Sequence, residues 1–337
     1  MTGRQQWVVL AAAALALFIA IAAYFAYAPG RKHAGPPVEI TLAVTTNPDS
    51  ALVHVAQLEG YFQDEGLAVK PLTFTSGKAA LESVLQGKAQ LATVAETPIV
   101  LNILKGERLG IIAEIFSSDK NMGVVARRDR GIAVPGDLRG KTIGTPLGTN
   151  AHYFFHAFRT VEGIRDSEVT LAGMAPEATA DALLSGRVDA VAVWNPFLLV
   201  LQQKLGEGGV SFSGEDVYTY TFNVTATRDF IAENPQRIIA LLRALLKAET
   251  FMRNEPAKTR QIVAEFTKWD RTLLDALWDK YHFRLSLDQA LLVNMENQAR
   301  WAMETGLAPP QSQLNFLDVM YLKGLQAVAP ERITIAR

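Results

Sequence analysis

The residues with chemical potential fall in a few short stretches. His152 and His156 stand four positions apart, a spacing that puts two imidazoles on one helix face and suits a transition metal. No glutamate follows His152 in an H-E-x-x-H arrangement and no third ligand is apparent, so no metal is expected. Residues 136–142 read G-x-x-x-G-K-T, one residue short of a phosphate-binding loop, and they precede a strand rather than a helix, the wrong context for cradling phosphate. Neither a G-x-S-x-G elbow nor a dinucleotide G-x-G-x-x-G occurs. The sequence has no cysteine, which removes disulfides, thiolate metal sites, cysteine nucleophiles and a lipid-modified cysteine tether, and fits an oxidising compartment. None of these stretches carries a catalytic or cofactor motif, and no cofactor is expected.

The remaining candidates sit where strands end. Ile40, Leu42 and Val44 alternate into a polar loop with Thr45, Thr46 and Asn47, and an apolar-periodic helix follows from about Ser50. The pattern recurs: residues 141–145 read as a strand, Gly148, Thr149 and Asn150 as its loop, and residues 153–158 as the start of another helix. The second half of each unit matches more closely. Residues 79–86 form a helix stopped by Gly87, then a strand over 90–95 ends in Glu96, Thr97 and Pro98; residues 178–185, Gly186 and a strand over 189–193 end in Trp194, Asn195 and Pro196. Each unit is a βα…αβ lobe of a mostly parallel sheet, and ligands of open α/β sheets bind at the carboxyl ends of the strands. Farther on the chain turns helical. Asn234 and Pro235 open a helix with a stripe of Ile238, Leu241, Leu242, Leu245 and Leu246, and Ser286 with Gln289 reads as a capping box for another that runs to Gly306.

Of 337 residues, 33 are lysine or arginine and 34 aspartate or glutamate, so no global field exists to hold nucleic acid or another polyanion. Residues 7–28 carry no charge, and at about 1.5 Å per residue such a run spans a bilayer core of about 30 Å. This segment is expected to be a retained signal anchor; the alternative is a signal peptide cleaved after the small-residue pattern of Ala26 and Ala28. Residues 29–37, rich in glycine and proline, read as a linker.

Five short motifs in order resemble the nitrate/sulfonate/taurine class of ABC-transporter periplasmic binding proteins: Glu59-Gly60-Tyr61-Phe62 with Glu65-Gly66-Leu67, then Gly87, then Asp137-Leu138-Arg139-Gly140-Lys141, then Gly186-Arg187-Val188-Asp189-Ala190, and finally Trp194-Asn195-Pro196. The resemblance implies a type II periplasmic binding protein fold, α/β and two-lobed, with crossings near residues 120–124 and 218–222. Lobe I would hold residues 38–120, lobe II residues 121–221, and residues 222–337 would return to lobe I with the C-terminal helices. It also implies a small-molecule ligand held between the lobes, an ABC permease as membrane partner, and an extracytoplasmic location, anchored by the N-terminal helix or secreted after its cleavage. A pyrimidine-precursor enzyme on the same fold and a membrane-tethered sensor are the other readings; the enzyme branch carries a cysteine cluster that this sequence lacks.

On that fold the ligand-binding set is Thr46, Asn47, Ser76, Gly77, Glu96, Thr97, Asp119, Asn121, Thr149, Asn150, Trp194 and Asn195. Helix N-termini at Ser76-Gly77 and at residues 148–151 offer unpaired N–H groups to an anion, although Ser76, Thr149 and Asn150 also suit capping their own helices. Glu96 would select a ligand with a donor or cation, such as an amino-sulfonate or amino-heterocycle, or else it caps its own helix. Trp194 either stacks on the ligand or closes the core beneath Pro196. Asp119 and Asn121, at the first crossing, either reach the ligand or serve the hinge.

Overall fold

The computed structural model describes residues 35–337 apart from Asp216, Ser312, Gln313 and Arg337. The N-terminal anchor expected over residues 7–28 lies outside the described residues, among which no helix is long and apolar enough to cross a membrane.

The first sheet is built by β1 (Val38–Thr45), α1 (Ala51–Leu58), β2 (Leu67–Phe74), α2 (Gly77–Leu85), β3 (Leu91–Ala95), α3 (Glu96–Leu104) and β4 (Leu109–Ser118). The second follows with β5 (Met122–Arg127), β6 (Thr142–Thr145), α4 (Asn150–Val161), β7 (Thr170–Gly173), α5 (Thr179–Leu184), β8 (Ala190–Trp194), α6 (Phe197–Leu205) and β9 (Gly209–Ser213). The chain then returns with β10 (Tyr220–Thr227) and becomes helical, with α7 (Pro235–Asn254), α8 (Pro256–Thr267), α9 (Arg271–Trp278) and α10 (Gln289–Glu304).

The strand orders are β2-β1-β3-β10-β4 and β7-β6-β8-β5-β9. In each, four strands point one way and the fourth position is taken by a single antiparallel strand that arrives by crossing between sheets: β10 in the first, β5 in the second. The repeat legible in the sequence is thus a pair of sheets with the same order. The central parallel strands β3 and β8 are buried along their whole length, with helices covering both faces; β8 is apolar throughout, and in β3 only Thr93 interrupts the apolar run.

The helices start where their caps allow. Ser76 accepts from Ala79 N at the head of α2, and Thr149 accepts from Ala151 N at the head of α4. Gly77 lets α2 press onto β3: a Cβ there would lie 2.8 Å from Val94 Cα and 3.3 Å from Ala95 N, both backbone atoms that cannot swing aside. One expected cap moves. α10 is preceded by Asp288 rather than Ser286, because Ser286 exchanges backbone hydrogen bonds with Glu114 of β4 at 2.9 and 3.2 Å and is held extended.

The two crossings, β4 to β5 and β9 to β10, are tied together at Asn121. Its Nδ2 donates to Tyr220 Oη on the second crossing at 2.9 Å, and its Oδ1 accepts from Tyr281 Oη at 3.0 Å. Its carbonyl accepts from Asn195 N at the end of β8, and Lys120 beside it pairs with Glu215 of the other crossing. All three side chains are buried, so neither tyrosine hydroxyl can turn to water if Asn121 is lost. Asn121→Ala is expected to cost about 2 kcal/mol and Tyr281→Phe about 1 kcal/mol, read from urea denaturation at equal slope. A loss below about 0.5 kcal/mol for Asn121→Ala would show that these bonds contribute nothing to the junction.

Candidate functional site

A cleft lies between the sheets at the carboxyl ends of their strands. Asn47 and Asp49 follow β1, and Ser76, Gly77 and Lys78 follow β2, while Ala95 and Pro98 flank the start of α3. From the other sheet come Thr149, Asn150 and Trp194, and Tyr220 and Phe222 of β10 form the back. The enclosed volume is about 20 Å³, room for roughly one water, so the lobes are closed on each other. Contacts across the gap agree: Lys78 Nζ donates to Leu147 O at 3.3 Å, and Tyr153 of α4 meets Trp301 of α10 edge-on at 5.3 Å.

Two helices of different lobes aim their N-termini at this space. α2 and α4 are both long enough to present unpaired backbone N–H groups and a partial positive charge to an anion. Asp49 supplies the opposite character. Its Oδ1 accepts from Thr45 Oγ1 at 2.8 Å, with Ser50 Oγ at 3.5 Å, and burial pushes its carboxyl up to about 7 against the lowering effect of those hydroxyls. Trp194, Tyr220 and Phe222 give the cleft aromatic walls on which a planar or aliphatic ligand body can pack.

The structure brings Asn47, Ser76, Gly77, Thr149, Asn150 and Trp194 together, while Thr46, Glu96, Thr97, Asp119, Asn121 and Asn195 stand outside the cleft lining. Thr46 turns back to Phe74 O with both its N–H and its hydroxyl. Thr97 is fully buried in the first turn of α3, Asp119 is partly buried at the first crossing, Asn121 is spent on the two tyrosines, and Asn195 precedes a cis peptide to Pro196. Glu96 departs furthest from expectation. It is fully buried, and its carboxylate accepts from Tyr218 Oη, from Thr221 N at 3.1 Å and Oγ1 at 3.0 Å, and from Gln298 Nε2 at 3.0 Å. Burial raises its pKa while these donors pull it back. Four protein donors leave it little to offer a ligand.

Residues 47–259, well over half of the chain, match the family described as NMT1/THI5 like. The chain belongs to that family. Among its relatives is the putative aliphatic sulfonates-binding protein of Bacillus subtilis, 24% identical over 66% of this chain and 68% of the relative. Another is the taurine-binding periplasmic protein of Escherichia coli, 25% identical over 63% of this chain and 66% of the relative. The solved alkanesulfonate-binding protein SsuA from Xanthomonas axonopodis pv. citri, bound to MOPS, superposes with a TM-score of 0.73 at 15% identity, covering 86% of this chain and 99% of that one. The two-lobed periplasmic binding protein fold is therefore shared by this family member.

Asp49, Lys78, Tyr220 and Phe222 are the polar and aromatic lining residues that the sequence reading passed over. A signal existed for Asp49: it stands two positions past Asn47, in the same polar loop, behind Pro48. Nothing local marks Tyr220 and Phe222, which reach the cleft only because β10 crosses back between β3 and β4.

The raised pKa of Asp49 has a direct thermodynamic consequence. The folded state holds this proton more tightly than the unfolded chain, so the associated stability is fully present below about pH 3.8 and is lost as pH rises to about 7. Asp49→Asn should flatten the stability profile in that window by at most about 4 kcal/mol, read from urea denaturation at stepped pH. A residual slope up to about pH 8 should persist from Glu114, whose carboxyl burial also raises to about 8. Parallel profiles for wild type and Asp49→Asn would mean that Asp49 titrates normally in the fold.

Proposed function

We propose that this protein is the extracytoplasmic substrate-binding component of an ABC importer for a small polar organic solute of the sulfonate, nitrate, taurine or amino-heterocycle type. In this reading residues 38–120 and 222–337 form one lobe and residues 121–221 the other, in the type II arrangement. The protein closes over its ligand and presents the closed form to an ABC permease. Residues 1–28 act as signal anchor or signal peptide and residues 29–37 as the linker behind it. The observation that carries the reading is the cleft itself, where two helix N-termini from different lobes, a carboxylate and three aromatic rings converge.

The mechanism follows from differential affinity. A ligand that bonds to groups on both lobes gains its full set of contacts only when they meet, so binding shifts the open–closed balance toward the closed form. With a cleft as narrow as the one described, a solute enters only when the lobes part. An anionic group would rest on the N–H groups of α2 and α4. A donor or cationic group would face Asp49, the role first expected of Glu96.

Mass spectrometry of solute released on denaturation, followed by calorimetry with taurine, ethanesulfonate, nitrate and an aminopyrimidine, tests the reading. An unchanged small molecule is expected, and solution scattering should show a smaller radius of gyration with the tightest binder. Asp49→Asn should weaken an amine-bearing ligand about 10- to 150-fold, the worth of a charge-assisted hydrogen bond. Glu96→Gln should lower stability but leave affinity within about twofold. Absence of any bound solute would remove the binding role, whereas binding with an unchanged scattering curve would remove only the closure.

A further inference from the structure

A second cavity, apart from the cleft, lies where α4 of one lobe meets the C-terminal part of the other. It encloses about 390 Å³, within the range of small-molecule sites, and its lining includes His152, His156, Leu147, Leu171, Trp301 and Leu307. The three leucines come from three separate segments and keep 40, 36 and 39% of their surface exposed, so they form an apolar rim assembled from both lobes.

The chemistry of the two histidines is settled by what holds them. His152 Nδ1 accepts from Gly148 N at 3.3 Å, and His156 Nδ1 lies 2.7 Å from Arg159 Nη2. A backbone N–H and a guanidinium can only donate, so both Nδ1 atoms are acceptors and each neutral ring carries its proton on Nε2. On each ring the nitrogen left for a ligand therefore holds a proton. Arg159 and Asp166 also line the cavity, as an ion pair: the guanidinium is engaged by Ile164 O at 3.1 Å, by His156 and by Asp166, so the wall offers no free cation and the Asp166 carboxylate is held on Arg159. Burial, with Arg159 and Lys78 nearby, holds His152 down at about 4, and burial lowers His156 as well. Both rings are thus neutral donors at pH 7. Trp301 stands edge-on to His152 at 5.0 Å and tilted to His156 at 5.8 Å, and it provides the apolar floor beside them.

Two Nε2–H donors on one helix face, beside a tryptophan and under a leucine rim, match a two-oxygen head joined to a hydrocarbon body. We propose that this cavity is a second binding site, separate from the cleft, for a small amphiphile with a carboxylate head. Because its walls come from both lobes, an occupant favours the arrangement in which they meet.

Octanoate is the probe, added to the full chain and followed by calorimetry and by the histidine side-chain 15N resonances. Binding with a shift at both Nε2 atoms is expected, and octylamine, which has no acceptor, should not bind. Leu171→Asp, at an exposed position, places a like charge on the rim and should weaken octanoate at least about tenfold. His156→Phe keeps a ring against Trp301 but removes the donor and should do the same. No heat and no imidazole shift up to about 10 mM octanoate overturns the proposal. So does equal binding of octylamine, or an affinity that Leu171→Asp leaves within about twofold, which would locate octanoate elsewhere. Should His156→Phe fail to fold, the Leu171→Asp titration decides alone.

Discussion

The arrangement of this molecule depends on one buried carboxylate. Removing the charge of Glu96 from water costs several kcal/mol unless donors replace the water, and the fold supplies them from two stretches far along the chain, residues 218–221 and Gln298. Tyr218 comes from the second crossing, Thr221 from the first residues of β10, and Gln298 from the middle of α10. Satisfying one side chain therefore fixes where the chain re-enters the first sheet and where the C-terminal helix lies against α3. Asn223 extends the network by donating to Thr221 Oγ1 at 3.0 Å. The pairing is incomplete at its edge: Gln298 Oε1 and Asn223 Oδ1 are buried without a hydrogen-bond partner, which subtracts from what the network contributes.

That placement carries over to the lobe junction. Gln298 and Trp301 share a face of α10, so the bond that holds Gln298 at Glu96 also holds Trp301 against α4, where His152, Tyr153 and His156 meet it. Tyr153 in turn stands edge-on to Tyr218 at 5.0 Å, which closes the path back to the carboxylate. The two lobes thus touch through aromatic edges around a buried carboxyl group. Aromatic contacts of this kind are worth about 0.5–1.5 kcal/mol each.

The cleft is organised on a contrast between two acids. Glu96 and Asp49 both begin short segments after parallel strands, yet one is consumed by four protein donors and the other by hydroxyls from its own loop. Asp49 is left on the cleft wall, and Glu96 is left holding the wall up. Around Asp49 the remaining polarity comes from backbone N–H groups at the heads of α2 and α4, which bind without a flexible side chain having to be immobilised. Lys78 adds a cation that, in the closed form, bonds to the Leu147 carbonyl on the opposite lobe.

Much of this was written locally. The alternation of Ile40, Leu42 and Val44, the helix stops at Gly87 and Gly186, and the loop residues Asn47, Thr149 and Trp194 mark strands, helices and the polar ends that line the cleft, because period and turn chemistry are properties of neighbouring residues. The same local logic placed Glu96 in the cleft and Ser286 at a helix head, and in both cases a partner far along the chain overruled it: Gln298 and Tyr218 for the first, Glu114 for the second. The sequence by itself determined the two α/β units, their family and the kind of strand-end loop that lines the cleft. Only the tertiary structure decided which of two strand-end carboxylates lines the cleft and which aromatic rings stand beside it. A buried charge goes where donors converge, and that convergence is set by β10 and α10 returning to the first sheet from more than a hundred residues away.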